Sequence, residues 1–307
     1  MVAAAILSEP LAGLQAQALG LAEAAGLRPA LHALAPRAPW RWIAARAWPD
    51  PVRAVRLPVL DEAAVIGAGG MAARVAAALR SPGRAAIQVQ HPRMDPRRFD
   101  LVVVNRHDGL TGPNVVVTRT ALHRATPARL AAARAAWAQH LAALPRPLVA
   151  VLVGGSNGRY RLDAPVAAAL GAGLARMARA DGVGLAVTPS RRTSPEAVAA
   201  LRAALEPAGA WIWDSEGENP YFGLLALADA IVVTEDSVSM VSEACATGAP
   251  VLLARLPGRS RRIALFNRLL VQDGRVRDFA GRFETWPVAP LDDTAEAGAA
   301  VRRLLGI

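Results

Sequence analysis

Residues 234–243, Thr-Glu-Asp-Ser-Val-Ser-Met-Val-Ser-Glu, crowd hydroxyls and carboxylates into one short run between two apolar stretches. The preceding AIVV reads as a buried strand, and the residues after Asp236 read as a helix closed by Gly248 and Pro250. Ser237 and Ser239 therefore fall at a helix N-terminus, where hydroxyls and amides hold an anion. Asp236 belongs to the same cluster. Glu243 follows Ser239 by four residues, on nearly the same helical face. From there its carboxylate can accept both hydroxyls of a ribose. Hydroxyls for a diphosphate and an acid for a ribose make a nucleotide site. In the competing reading Ser237 only caps the helix and Glu243 only favours its dipole.

Two further strand ends carry similar chemistry. VLVGGSNGRY places Gly154, Gly155, Ser156 and Asn157 where backbone amides can approach a diphosphate, with Arg159 and Arg161 nearby for charge. The same residues equally make a tight turn. TPSRRT adds Ser190, Arg191 and Arg192, suited to phosphate or to a solvated helix cap. VIGAGG (65–70) hints at a dinucleotide fingerprint and so at an NAD(P) enzyme. Its third glycine is replaced, and no acid follows at the required distance. For proton transfer, NRHDG offers His107 and Asp108, with His91 behind them; a hydrogen-bonded structural pair is the alternative. The five histidines are scattered, so the spacing indicates no metal site.

These clusters need elements that present them together. Short β-rich runs alternate with Ala/Leu-rich amphipathic stretches, the pattern of parallel α/β layering. VAAAILS begins the series, and EAAVIGAGG, AAIQVQ, DLVVV and NVVVT continue it. A long helix is expected over 127–143, ending at the two prolines of LPRP, and the pattern restarts with LVAVLVGG. The tail from about 260 holds two more helices. The expectation is two Rossmann-like doubly wound domains, 1–144 and 148–307, with the last helices free to pack back on the first. Ligands of parallel sheets bind beyond the carboxyl ends of the strands, where nearly all the polar clusters lie. The two domains would then face one cleft.

The totals bound the partners. Hydrophobic residues make up 53% of 307, which requires a globular core. The formal charge is +10, and all 35 basic residues are arginine, as a G+C-rich coding sequence produces. Aromatics, at 5%, are not interleaved with arginine as on an RNA-binding sheet, which excludes nucleic acid as the expected partner. One cysteine suits a reducing, cytoplasmic compartment. No run is long enough for a spanning helix, and MVAAAILSEP reads as a first strand, not a signal peptide. In PRAPWRWIAARAWPD, Trp40, Trp42 and Trp48 alternate with arginine. That run suits a peripheral anionic membrane surface or, equally, a domain core.

SVSMVSEACATGAPVLL and GGSNG resemble the donor-site helix and glycine turn of GT-B glycosyltransferases, in particular the peptidoglycan lipid-linked N-acetylglucosaminyltransferase. That resemblance implies a ribose contact for Glu243, diphosphate contacts for Ser237 and Ser239, and base-side packing for Tyr221 and Phe222. Across nearly the whole chain, FDLVVVNRHDG, NVVVTRTALHR, VLVGGSNGRYRL, TPSRRTSPE and NPYFGLLALADAIVVTEDSVSM resemble the "elongated mitochondria" fission family and its bacterial branch. The implied fold is GT-B-like. The implied functions are metal-independent transfer from a nucleotide-diphosphate sugar to a possibly lipid-linked acceptor, or a non-catalytic adaptor role with protein partners. Such transferases often carry a His or Asp base in the first loop; SEPLAGLQAQ offers only Glu9.

Overall fold

The computed structural model describes residues 2–307. They form two compact units: the chain up to Arg124 together with Asp292–Ile307, and Ala125–Leu291.

The first unit holds β1 (Ala3–Ser8), α1 (Ala12–Ala24), β2 (Arg28–Ala33), the short antiparallel pair β3 (Ala35–Pro36) and β4 (Val55–Arg56), β5 (Ala64–Ala68) and α2 (Gly70–Leu79). After it come β6 (Ala85–Val89), β7 (Leu101–Asn105) and β8 (Val115–Thr118). The parallel sheet runs β2-β1-β5-β6-β7-β8. Both faces are covered. Ala4 and Ile6 pack with one cluster, Ala5 and Leu7 with another, which is why β1 reads as a continuous apolar run.

In the second unit α3 (Pro127–Trp137) precedes β9 (Leu148–Val153), α4 (Ala164–Asp181), β10 (Gly184–Pro189), α5 (Pro195–Leu205) and β11 (Trp211–Ile212). They are followed by α6 (Tyr221–Leu227), β12 (Ala230–Thr234), α7 (Val238–Cys245), β13 (Val251–Ala254), α8 (Arg261–Gln272) and β14 (Val276–Asp278). Its sheet is also parallel, in the order β11-β10-β9-β12-β13-β14. Leu148, Ala150 and Leu152 face the cluster under α3, α6, α7 and α8, while Val149, Val151 and Val153 face α4 and α5. Counted within the unit, the strand order is 3-2-1-4-5-6, the doubly wound order with its switch point between β9 and β12.

Two expectations need correction, and the packing of the last helix agrees with a third. The prolines at 145 and 147 do not separate the units, because α3 belongs to the second one. Trp137 lies against Gly223 so closely that a Cβ there would collide with the indole, and it meets Trp211 edge-on at 6.1 Å. Arg134 also donates to the Ala226 carbonyl, so α3 is fastened to α6 before the prolines are reached. The helix expected over 127–143 ends at Trp137, and turns carry the chain on to Leu144. The last helix, α9 (Asp293–Leu305), packs with the first unit. Its buried Asp293 accepts from the Thr120 amide at 2.8 Å and from Arg119 Nη2 at 2.7 Å.

The tryptophan run divides. Trp48 is 7% exposed, and its Nε1 donates to the carbonyls of Ile43 (3.0 Å) and Trp40 (3.2 Å). It is a core residue and is removed from any membrane face. Trp40 is half-buried against the same cluster. Trp42 alone stands out, 68% exposed, with the Arg41 guanidinium 4.1 Å from its ring centroid.

Candidate functional site

At the switch point of the second sheet the strand ends are tied by a knot of buried polar groups. The Gly154 amide donates to Thr234 Oγ1, and Thr234 Oγ1 donates to Asp236 Oδ1, each at 2.7 Å. The Gly155 amide donates to Asp236 Oδ2 at 3.3 Å, and Arg192 Nη2 pairs with the same oxygen at 2.8 Å. Arg192 Nη1 also donates to the Gly155 carbonyl, at 3.2 Å. Asp236 is fully buried, so its charge is sustained by these donors rather than by water. The two glycines have a packing reason: a Cβ on Gly154 would strike the Asp236 carboxylate, and one on Gly155 the Arg192 backbone. The sequence-expected residues Gly154, Gly155, Asp236 and Arg192 do come together, but their polar atoms are spent on one another.

The neighbouring loops are likewise self-capped. Ser156 Oγ accepts the Leu162 amide at 2.9 Å, and Asn157 Oδ1 accepts those of Arg159 and Tyr160 at 2.8 and 2.9 Å. Ser190 Oγ accepts the Arg192 amide at 3.2 Å. Arg191 stays exposed.

Helix α7 begins directly after the knot. Ser237 is its N-cap, accepting the Met240 amide at 3.4 Å, and Ser239 is half-buried in the first turn. The amides of that turn have no carbonyl partner within the helix, and the dipole there favours an anion. Ser242 Oγ donates back to the Val238 carbonyl at 2.7 Å. At the far end the buried Arg275 guanidinium donates to the carbonyls of Cys245 (2.9 Å), Thr247 (2.8 Å) and Ala249 (3.2 Å), closing the helix C-terminus. Nothing in the sequence distinguished Arg275 from a loop arginine. Glu235 was also missed as a structural anchor: it accepts from Arg255 Nη1 at 2.8 Å and from the Leu256 amide at 2.9 Å.

Glu243 is the exception to this self-sufficiency. Its Oε2 accepts the Tyr221 hydroxyl at 2.5 Å, the short distance of a charge-assisted O–H···O⁻ bond. Burial pushes the Glu243 carboxyl up to about 7, opposed in part by the Tyr221 bond. Burial, with Glu243 beside it, raises the Tyr221 hydroxyl well above its ordinary range. Phe222 meets Tyr221 edge-on at 5.5 Å, with the Arg129 guanidinium 5.4 Å from its own ring. The start of α6 thus supplies two half-buried rings beside the α7 carboxylate, which sequence distance alone did not reveal. A carboxyl with its pKa raised to about 7 beside the Tyr221 hydroxyl is equipped to exchange one hydroxyl partner for another.

In the first unit, His107 and Asp108 follow β7 in a tight turn, His107 Nε2 lying 3.7 Å from Asp108 Oδ1. Their side chains are only 3% and 7% exposed. His91 accepts the Arg93 amide at 2.9 Å. Glu9, at the end of β1, accepts the Met71 amide at 3.2 Å in the first turn of α2. A carboxylate thus fills the place that a pyrophosphate takes in a dinucleotide fold. This occupied turn weighs against the NAD(P) reading of GAGG. Among the described residues there is no group of three or more His, Cys, Asp or Glu placed to hold a metal, and no helix long and apolar enough to cross a membrane.

The profile of the mitochondrial fission ELM1 family matches residues 12–305. The chain belongs to that family. Mitochondrial fission protein ELM1 of Arabidopsis thaliana is 37% identical over 246 residues, which is 71% of this chain and 57% of that protein. The ELM1-family chain spans about half the length of the curated relatives it matches. Among solved structures, MurG of Acinetobacter baumannii superposes with a TM-score of 0.54 at 16% identity, covering 100% of this chain and 92% of that one. MnaA of S. aureus in complex with UDP gives 0.54 at 10% identity, covering 100% and 97%. What this ELM1-family chain shares with those structures is the fold, of the GT-B kind, with two parallel-sheet domains.

Proposed function

We propose that the second unit binds a nucleotide-diphosphate sugar and that the chain is a metal-independent GT-B-like transferase for a lipid-linked acceptor. The observation that carries this reading is Glu243, held near neutrality beside Tyr221 and Phe222, one helix past the switch point. Its carboxylate takes the ribose hydroxyls. The first turn of α7, with Ser237, Ser239 and the exposed Arg191, takes the diphosphate. Tyr221 and Phe222 pack at the base side. The MnaA structure, with its bound UDP, supports a nucleotide of this class as the ligand. In transfer, the acceptor hydroxyl attacks the anomeric carbon, the diphosphate leaves toward the α7 dipole, and the hydroxyl proton goes to a general base, the role proposed for His107 with Asp108. Trp42 and Arg41 would rest on the anionic membrane carrying the acceptor, from the cytoplasmic side.

A second reading, a nucleotide-sugar-binding adaptor without transfer, is favoured by one observation. The ionisable residue of the first loop, Glu9, is engaged in capping α2. A thermal-shift screen against uridine-, guanosine- and thymidine-diphosphate sugars, NAD and NADP tests the binding. Stabilisation by one nucleotide sugar and not by NAD(P) is expected; no shift with any nucleotide sugar refutes it. Following the bound sugar over hours then separates transferase from adaptor, since only a transferase consumes it when membrane extract is added.

A further inference from the structure

The two faces of the second sheet are covered unequally. On one, α3, α6, α7 and α8 pack over the strands. On the other, α4 and α5 do so, joined by the non-helical segment 279–286, which turns Phe279, Phe283 and Trp286 inward. Between this segment and the N-terminal half of α4 lies a cavity of about 660 Å³, within the size range of small-molecule sites. Its wall is apolar through Val166, Leu170, Leu256 and Phe279.

Two features set this cavity apart from an ordinary packing gap. The first is Gly173, in the interior of α4, where glycine weakens a helix. Gly171, one turn face away, needs to be glycine because a Cβ would stand 2.7 Å from the Ala204 methyl. At Gly173 the nearest atoms to a Cβ are Phe279 Cε1 at 3.7 Å and Arg176 Nη2 at 3.8 Å, ordinary contact distances. Packing does not demand this glycine, and its missing side chain enlarges the cavity. The second feature is Arg176. Its guanidinium lies between Gly173 and Gly281 at the cavity, with no ion pair among the described residues. The other lining arginine, Arg255, is already matched by Glu235 at 2.8 Å and Asp278 at 2.7 Å.

We propose that this cavity binds an amphiphilic monoanion, its chain lying along α4 and Phe279 and its carboxylate or phosphate paired with Arg176. The site is separate from the nucleotide reading, because Glu243 lies on α7, which packs on the opposite face of the sheet. Arg176 is exposed at the edge of this apolar wall, so a ligand with both a chain and an anionic head gains from each, where a neutral chain or a free inorganic anion gains from only one.

Isothermal titration of the full chain with decanoate, decanol and inorganic phosphate tests this. One saturable decanoate site is expected, with decanol at least tenfold weaker and phosphate not bound. Arg176→Gln should reduce decanoate to the affinity of decanol. Ala169→Trp, at an exposed position on the cavity wall, should abolish both without lowering the melting temperature. Absence of saturable decanoate binding to the wild type overturns the proposal. So does wild-type affinity in Ala169→Trp. Equal decanoate affinity in Arg176→Gln overturns the assignment of the anionic head.

Discussion

Replacing Glu243 by glutamine removes its charge while keeping its shape and its place beside Tyr221. The carboxyl is held at about 7 instead of 4.5. At about 1.4 kcal/mol per pH unit, the ionised form costs the folded state about 3 kcal/mol above pH 7. The sign follows from which form the fold prefers. Burial favours the neutral acid, so the cost is absent well below pH 4.5, grows between 4.5 and 7, and is complete above 7. Glutamine is neutral throughout and escapes it. That value already includes the Tyr221 hydrogen bond, so the gain at pH 8 is about 3 kcal/mol, which raises the melting temperature by about 6–12 °C for a domain of this size. Near pH 5 most of the difference should vanish. Nucleotide affinity should move the other way. A lost charge-assisted bond to ribose contributes about 1.5–3 kcal/mol, or roughly tenfold or more in Kd. Melting curves at pH 5 and 8, beside titrations with the donor found in the screen, read both effects. Equal melting of the two proteins at pH 8 refutes the desolvation argument, and equal nucleotide affinity refutes the ribose role.

Wild-type nucleotide affinity should itself rise with pH up to about 7 and then level, because the ribose selects the ionised Glu243; a flat profile from pH 5 to 8 contradicts this. His107→Ala and Asp108→Ala should leave donor binding intact and abolish sugar transfer, measured with labelled donor; unaltered turnover in both variants assigns the pair to structure. Trp42→Ala and Arg41→Ala should each reduce flotation with anionic liposomes at low salt, while wild type that stays at the bottom of the gradient refutes the membrane face. Arg275→Leu should destabilise the second unit by about 3 kcal/mol or more, since several buried carbonyls around the end of α7 lose their donor. A denaturant midpoint within error of wild type would show that those carbonyls find other partners.

Much of the architecture was legible along the chain. Apolar runs such as LVAVLV need burial on both faces, and that happens only in a parallel sheet layered by helices. The alternation of such runs with Ala-rich helices therefore determined two doubly wound sheets, and the hydroxyl-rich run after β12 marked the start of α7. Local chemistry sufficed there, because caps and strand ends depend on neighbours a few residues away.

The unit boundary was not local. Pro145 and Pro147 mark a break in the backbone, but the assignment of α3 is decided by Trp137 closing on Gly223, a contact between residues far apart in sequence. The same holds for Trp48, whose alternation with arginine was compatible with a membrane face until its indole found the carbonyls of Trp40 and Ile43. Composition made Asp236, Arg192 and the two glycines look alike as ligand contacts. Only their convergence showed them satisfying one another. Glu243 is the reverse case: its type and spacing were visible in the sequence, but its state was not. A carboxyl reaches about 7 only when tertiary packing withdraws water from it, and in this chain that takes α6 and α7 folding side by side.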